Sequence, residues 1–207
     1  MMKSRIWKKA AAVLLSAAIL FTAAGCGTDD PESQVAKVND TVITKAQFDN
    51  YTMLCLYTMG YDPSEQLTSE EEEEMLGDMV DAEVLRQYYE ENDPSIFSDA
   101  YQSGLQAYIA QTKQDNGEFI NSSGISDEDI TFYYRSQYLT QLCFNEIQEE
   151  NSDEELYSEA ESYYEEHQED FGGETLDEAL SEIYYLLYSD MYEEKLDEIK
   201  ENMSVIE

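Results

Sequence analysis

From residue 44 to residue 203 apolar positions recur every three or four residues, the period of helices that bury one face. The stripes fall into six runs. Thr44-x-x-Gln47 reads as a capping box, with Ile43 placed to staple against Phe48, and the stripe continues through Tyr51, Cys55, Leu56 and Met59 until Gly60 and Pro63. Ser69 is the expected cap of a second run through Met75, Leu76, Met79, Val80, Val84, Leu85 and Tyr89, which Asn92-Asp93-Pro94 stops. A third run carries Phe97, Tyr101, Leu105, Tyr108, Ile109 and Thr112, with Asn116-Gly117 and Ser122-Ser123-Gly124 expected as the loop after it. Ser126 caps a fourth (Ile130, Tyr133, Tyr134, Leu142, Cys143, Ile147), and Ser152 a fifth (Leu156, Ala160, Tyr163, Tyr164, His167, Phe171). After Gly172-Gly173, Thr175 caps a last long helix from Leu176 through Ile183 and Leu196 to Met203. Only residues 35–43 favour strands: Val35, Val38, Val42 and Ile43 flank Asn39-Asp40, a two-residue turn tolerant of positive φ. A lone hairpin is marginal in water, so it must pack on helices, and Val205-Ile206 can add a third strand. The predicted class is mainly α, with a small N-terminal β-hairpin and a long C-terminal helix.

Composition alone leaves order in doubt, because Leu, Ile, Val and Phe make up only about one fifth of residues 26–207, near the level at which a highly charged chain stays disordered. The agreement of caps, stripes and breakers decides for a folded bundle. Charge narrows the partners. With 47 acidic against 11 basic residues the chain carries −36. Such a surface repels nucleic-acid phosphate and offers no polybasic patch to anionic lipid, whereas it steers basic polypeptides and keeps the molecule soluble.

The first 25 residues differ from the rest. Met1 to Lys9 is basic, Ala10 to Ala24 is apolar, and small residues precede Cys26, the arrangement of an export signal; the apolar stretch is too short for a membrane span. Ala23-Ala24-Gly25-Cys26 resembles the bacterial lipoprotein box, with Ala23 where a larger aliphatic residue is usual, and this resemblance implies a lipidated Cys26 as the first mature residue. An ordinary secretory signal with an incidental cysteine is the alternative. Diacylglyceryl modification would hold the protein on the extracytoplasmic face of the cell membrane, with Thr28 to Ser33 as a polar tether. The expected organisation is a signal peptide at 1–25, a tether at 26–34, a helical module at 35–171, and a C-terminal helix and short strand at 172–207 packing back on that module.

No catalytic, cofactor or metal constellation emerges. The single histidine, His167, lies on a helix face among glutamates; there is no C-x-x-C, no Gly-rich phosphate loop and no EF-hand spacing. Cys55 and Cys143 sit among apolar neighbours and read as buried thiols, although export would permit a disulfide. Tyrosine is the conspicuous residue type. Tyr88-Tyr89, Tyr133-Tyr134, Tyr163-Tyr164 and Tyr184-Tyr185 are adjacent pairs, and Tyr184, Tyr188 and Tyr192 form an i, i+4 row. Two readings are open: core packing with a wet hydroxyl tip, or an adaptable aromatic and methionine surface that holds unfolded chains. On the second reading the candidate contacts are Met75, Met79, Tyr133, Tyr134, Tyr163, Tyr184 and Tyr188.

The segment Val35-Ala-Lys-Val-Asn-Asp-Thr-Val-Ile-Thr-Lys-Ala-Gln-Phe48 resembles the opening of the chaperone module of the SurA and PrsA foldases. Gly124-Ile-Ser-Asp-Glu-Asp-Ile130 and Tyr163-Tyr-Glu-Glu-His-Gln-Glu-Asp-Phe171 are similar to two further pieces, the second of which closes the helical module in those foldases. A parvulin isomerase domain normally follows; here two glycines and one helix follow instead. The resemblance, which covers about residues 35–207, therefore implies a chaperone module that binds unfolded or exported polypeptides and lacks prolyl isomerase activity. An accessory lipoprotein that binds one specific partner is the rival reading.

Overall fold

The structure, a computed structural model, describes residues 30–206. The expected signal peptide, the expected lipidation site Cys26 and tether residues 26–29 lie outside the described residues. Pro31–Glu207 form one compact unit.

The hairpin comes first. Strands β1 (Gln34–Val38) and β2 (Thr41–Thr44) pair antiparallel across Asn39-Asp40, and Asn39 takes the left-handed conformation (φ 51°) that its short polar side chain tolerates. β3 (Val205–Ile206) adds antiparallel to the other edge of β1, giving the order β2-β1-β3. Ala36 and Val38 face inward with no exposure, beside Ile43.

Seven α-helices follow among the described residues: α1 (Lys45–Thr58), α2 (Ser69–Asn92), α3 (Asp99–Asp115), α4 (Gly117–Ser123), α5 (Asp127–Glu150), α6 (Asp153–Glu166) and α7 (Leu176–Lys200). One-turn 3₁₀ segments at Pro94–Phe97 and Gln168–Phe171 precede α3 and follow α6. Capping boxes start α1 (Thr44, Gln47), α2 (Thr68, Glu71), α5 (Ser126, Asp129), α6 (Ser152, Glu155) and α7 (Thr175, Glu178). Each such cap is worth about 1 kcal/mol. The hydrogen bonds from the cap residues hold the Glu71, Glu155 and Glu178 carboxyls below the usual carboxylate range. Part of the acid surplus is thus spent on helix starts.

Four sequence expectations are corrected. Thr68, not Ser69, caps α2. Residues 117–123 form a short helix rather than a loop, because Ile120 is buried and Phe119 stacks on Tyr57 at 4.1 Å. Phe97 lies in the 3₁₀ turn before α3 rather than in the helix. His167 and Phe171 lie beyond the end of α6, whose C-cap is His167.

The main core gathers Val38, Ile43 and Tyr51 with Met79, Val80, Val84 and Leu85 of α2, Leu139 and Cys143 of α5, and Leu196 of α7. A second cluster joins Leu54, Leu105, Ile109, Ile120, Ile125 and Ile130 under α3 and α4. A third is smaller: Ala160, Phe171, Ala179 and Ile183 hold α6 against the first half of α7. This contact straddles Gly172-Gly173, both in the left-handed region, so α6 and α7 form a helical hairpin. The second half of α7 packs on α2 and α5. Cys55 and Cys143 are free and buried. Burial pushes the Cys55 thiol up to about 12 and the Cys143 thiol up to about 11, so neither is a thiolate near neutrality.

Polar groups lock the sheet to α2. Glu83, 3 % exposed, accepts from Arg86 at 2.5 and 2.8 Å and from Gln87 Nε2 at 2.7 Å. Burial alone would raise its carboxyl; these hydrogen bonds and the Arg86 charge overcome that and hold it below the ordinary value. Gln87 also donates to the Val38 carbonyl and accepts from Asn39 Nδ2. The Asn39 backbone N–H donates to Ser204 O at 2.6 Å, and Asn39 Oδ1 accepts from the Ser204 N–H at 2.9 Å. One buried carboxylate therefore anchors a chain of contacts through the hairpin turn to the last strand.

Candidate functional site

The candidate site lies on the α6–α7 hairpin. Ser152 fixes the start of α6, and the third core cluster sets α7 alongside it. The two helices leave a surface groove of about 570 Å³ lined by Asp153, Glu154, Leu156, Tyr157, Tyr184 and Tyr188. Leu156 is 5 % exposed and forms its floor, while Tyr157 is 38 % exposed at its rim. Tyr185, the neighbour of Tyr184, is 65 % exposed. Burial, then the Asp153 carboxylate and Tyr184, raise the pKa of the Tyr188 hydroxyl, so it stays a neutral donor at physiological pH. Aromatic faces, an apolar floor and two carboxylates make a surface suited to a polypeptide segment that carries Lys or Arg beside an apolar residue.

Only two of the seven sequence-derived candidates, Tyr184 and Tyr188, line the groove. Tyr163 stacks near His167 at 4.4 Å and Phe171 at 6.3 Å within the hairpin. Tyr133 and Tyr134 face α1 and α3: the Tyr133 hydroxyl pairs with Thr58 Oγ1 at 2.9 Å, and the Tyr134 hydroxyl with Thr112 Oγ1 at 2.6 Å. Met75 is half-buried against the main core. Met79 is 1 % exposed, with no surface left to offer a client. Tyr192, third in the i, i+4 row, stacks on Phe144 at 4.6 Å.

Tyr157, Leu156, Asp153 and Glu154 enter the site without having been singled out. A signal for Tyr157 was present: it sits one residue off the α6 stripe, so a helical wheel places it at the edge of the buried face. A second, smaller concavity of about 360 Å³ lies where Tyr57 and Phe119 stack, bordered by Asp115, Asn116, Glu118 and Ser122. It is polar, and the Tyr57 hydroxyl already donates to Asn116 Oδ1 at 2.8 Å.

Among the described residues no group of three or more His, Cys, Asp or Glu side chains is arranged to hold a metal ion, and no helix is long and apolar enough to cross a membrane. Comparison with protein families, curated proteins and solved structures returned no match.

Proposed function

We propose that this protein is a lipid-anchored, extracytoplasmic holdase: it binds unfolded or exported polypeptides transiently and catalyses no prolyl isomerisation. The observation that carries this reading is the open groove of Tyr157, Tyr184 and Tyr188 over Leu156, flanked by Asp153 and Glu154. Its aromatic faces take apolar side chains without demanding one shape, and its carboxylates favour clients with basic residues. The net charge of −36 supplies long-range attraction for the same clients. The resemblance of residues 35–48 to the SurA and PrsA chaperone modules supports the same class. Attachment through a lipidated Cys26 belongs to this proposal and is checked by mass spectrometry of the N-terminal peptide from membranes.

The functional test is suppression of aggregation of a chemically unfolded basic client, followed by light scattering. The protein is expected to suppress it, and Tyr184→Ser combined with Tyr188→Ser to lose most of the effect while helicity is kept. No suppression across several clients and salt concentrations overturns the reading. Crosslinking that captures a single tight partner, with no holdase effect, establishes the accessory-lipoprotein reading in its place.

A further inference from the structure

Of the seven basic residues between 30 and 206, six have an acid within 4.0 Å: Lys37, Lys45, Arg86, Lys113, Lys195 and Lys200. Arg135 on α5 is the exception among the described residues, in a chain with 47 acidic side chains. Its guanidinium lies 5.8 Å from the centre of the Phe132 ring. Arg86 repels it, and Glu83 and Glu90, the acids whose charge it feels, are both bound to Arg86. Tyr101 of α3 packs on Tyr138, one turn after Arg135 on α5, and its hydroxyl feels the Arg135 charge. Its ring packs on Tyr138 at 4.8 Å and on Phe97 at 5.6 Å, and its buried hydroxyl has no hydrogen-bond partner. Tyr138 itself is 39 % exposed.

An unpaired, partly buried guanidinium and an orphaned phenol are both donors. Leaving either unsatisfied is costly, and only an acceptor satisfies both. A carboxylate matches the guanidinium fork and accepts from the phenol on its remaining lone pairs. We propose that Arg135 and Tyr101, between α3 and α5, form a carboxylate-binding site that takes a chain-terminal or acidic side-chain carboxylate of a bound polypeptide. The assignment of the ligand to a polypeptide rests on the holdase reading; the site's chemistry does not. It complements the α6–α7 groove, which favours cations, and gives the molecule a second point of contact of opposite sign.

The test is a fluorescence-polarisation titration of the full chain at physiological salt with three labelled hexapeptides of Ala and Leu. One ends in a free carboxylate, one in an amide, and one is amidated but carries an internal Glu. The general field of the protein repels anions, so a preference for the acid over the amide has to come from a local site. The acid peptide is expected to bind roughly tenfold or more tightly than the amide. The Glu peptide ranks with the acid if side-chain carboxylates are also taken, and with the amide if only chain ends are. Arg135→Gln is expected to erase the preference, Arg135→Lys to keep part of it, and Tyr101→Phe to reduce it about fivefold. Equal binding of acid and amide by the parent protein overturns the site, as does a preference that survives Arg135→Gln. Aggregation suppression on the same samples separates the two proposals. Intact suppression without acid preference removes this site alone, and acid preference without suppression removes the holdase reading alone.

Discussion

The two ends of α7 live in different surroundings. Its C-terminal half joins α2, α5 and the sheet, where a large core is overlaid by side-chain hydrogen bonds running from Glu83 through Gln87 and Asn39 to Ser204. Its N-terminal half meets α6 through a smaller buried cluster of two alanines, one isoleucine and one phenylalanine, ringed by partly buried leucines and tyrosines. Alanine burial removes little surface from water, so the fully buried part of this seam contributes less than the main core does. The groove sits on the lightly held end. On the proposed holdase function, a surface that accommodates varied chains gains from elements near the low-stability end of the molecule, provided another region fixes the fold.

The largest expected effect comes from breaking the well-tied end. Glu83→Ala removes the two Glu83 bonds of Arg86 and one bond of Gln87 from a buried network and is expected to cost about 3 kcal/mol of global stability, read as a lower urea midpoint with all probes coincident. The pH dependence has a defined sign. The Glu83 carboxyl is held below its unfolded value, so its contribution is fully present above that unfolded value and fades as pH falls through the folded one. The gap between parent and Glu83→Gln should therefore close under acid conditions.

Next in size, Ile183→Ala is expected to cost about 2–3 kcal/mol, confined to the hairpin. Hydrogen exchange should quicken across residues 153–187 while amides of Met79 to Tyr89 keep their protection. Equal acceleration in both regions would show that the two ends melt as one and would remove the contrast.

A smaller effect is expected at Lys200, which meets Asp81 at 2.5 Å in a partly exposed pair. Lys200→Met should lower stability by about 1 kcal/mol or less, and by less still at high salt. Subtlest is Asp78. It keeps much of its surface in water, yet crowding by neighbouring atoms, then Asp81 and Glu74, push its carboxyl up to about 6. A raised acid stabilises the fold only while protonated. Its penalty grows as pH rises from the unfolded value near 4 to about 6 and then levels off. Asp78→Asn is expected to raise the thermal midpoint slightly at pH 7.5 and to make no difference at pH 4, checked by calorimetry at both values.

Much of this architecture was legible in the residues. Hydroxyl caps followed three positions later by Gln, Glu or Asp marked five helix starts, and Asn39-Asp40 marked the hairpin. The slip from Thr68 to Ser69 arises because both hydroxyls have a glutamate three residues on, Glu71 and Glu72, so only backbone geometry separates them. The helix at 117–123 was hidden by Gly117, Asn121 and the serines, turn formers whose preference tertiary burial of Ile120 overrides. The site was less legible. Tyr184 and Tyr188 share a face at i, i+4 and do line one groove, but Met79 lies on its helix stripe and is core for that reason. Residue type alone could not separate a methionine that fills a core from one that meets a client. Arg135 carried no local signal at all, since the absence of a partner is a property of three-dimensional arrangement.

Asn39 and Ser204 meet across 165 positions of sequence. Closing so long a loop is entropically slow, and it requires residues 39 to 204 to have been synthesised. Until then β1 has a partner on one side only, and its other edge is an open template. Synthesis thus passes through an interval in which β1 must wait, unpaired on that flank, for Val205 and Ile206 to arrive.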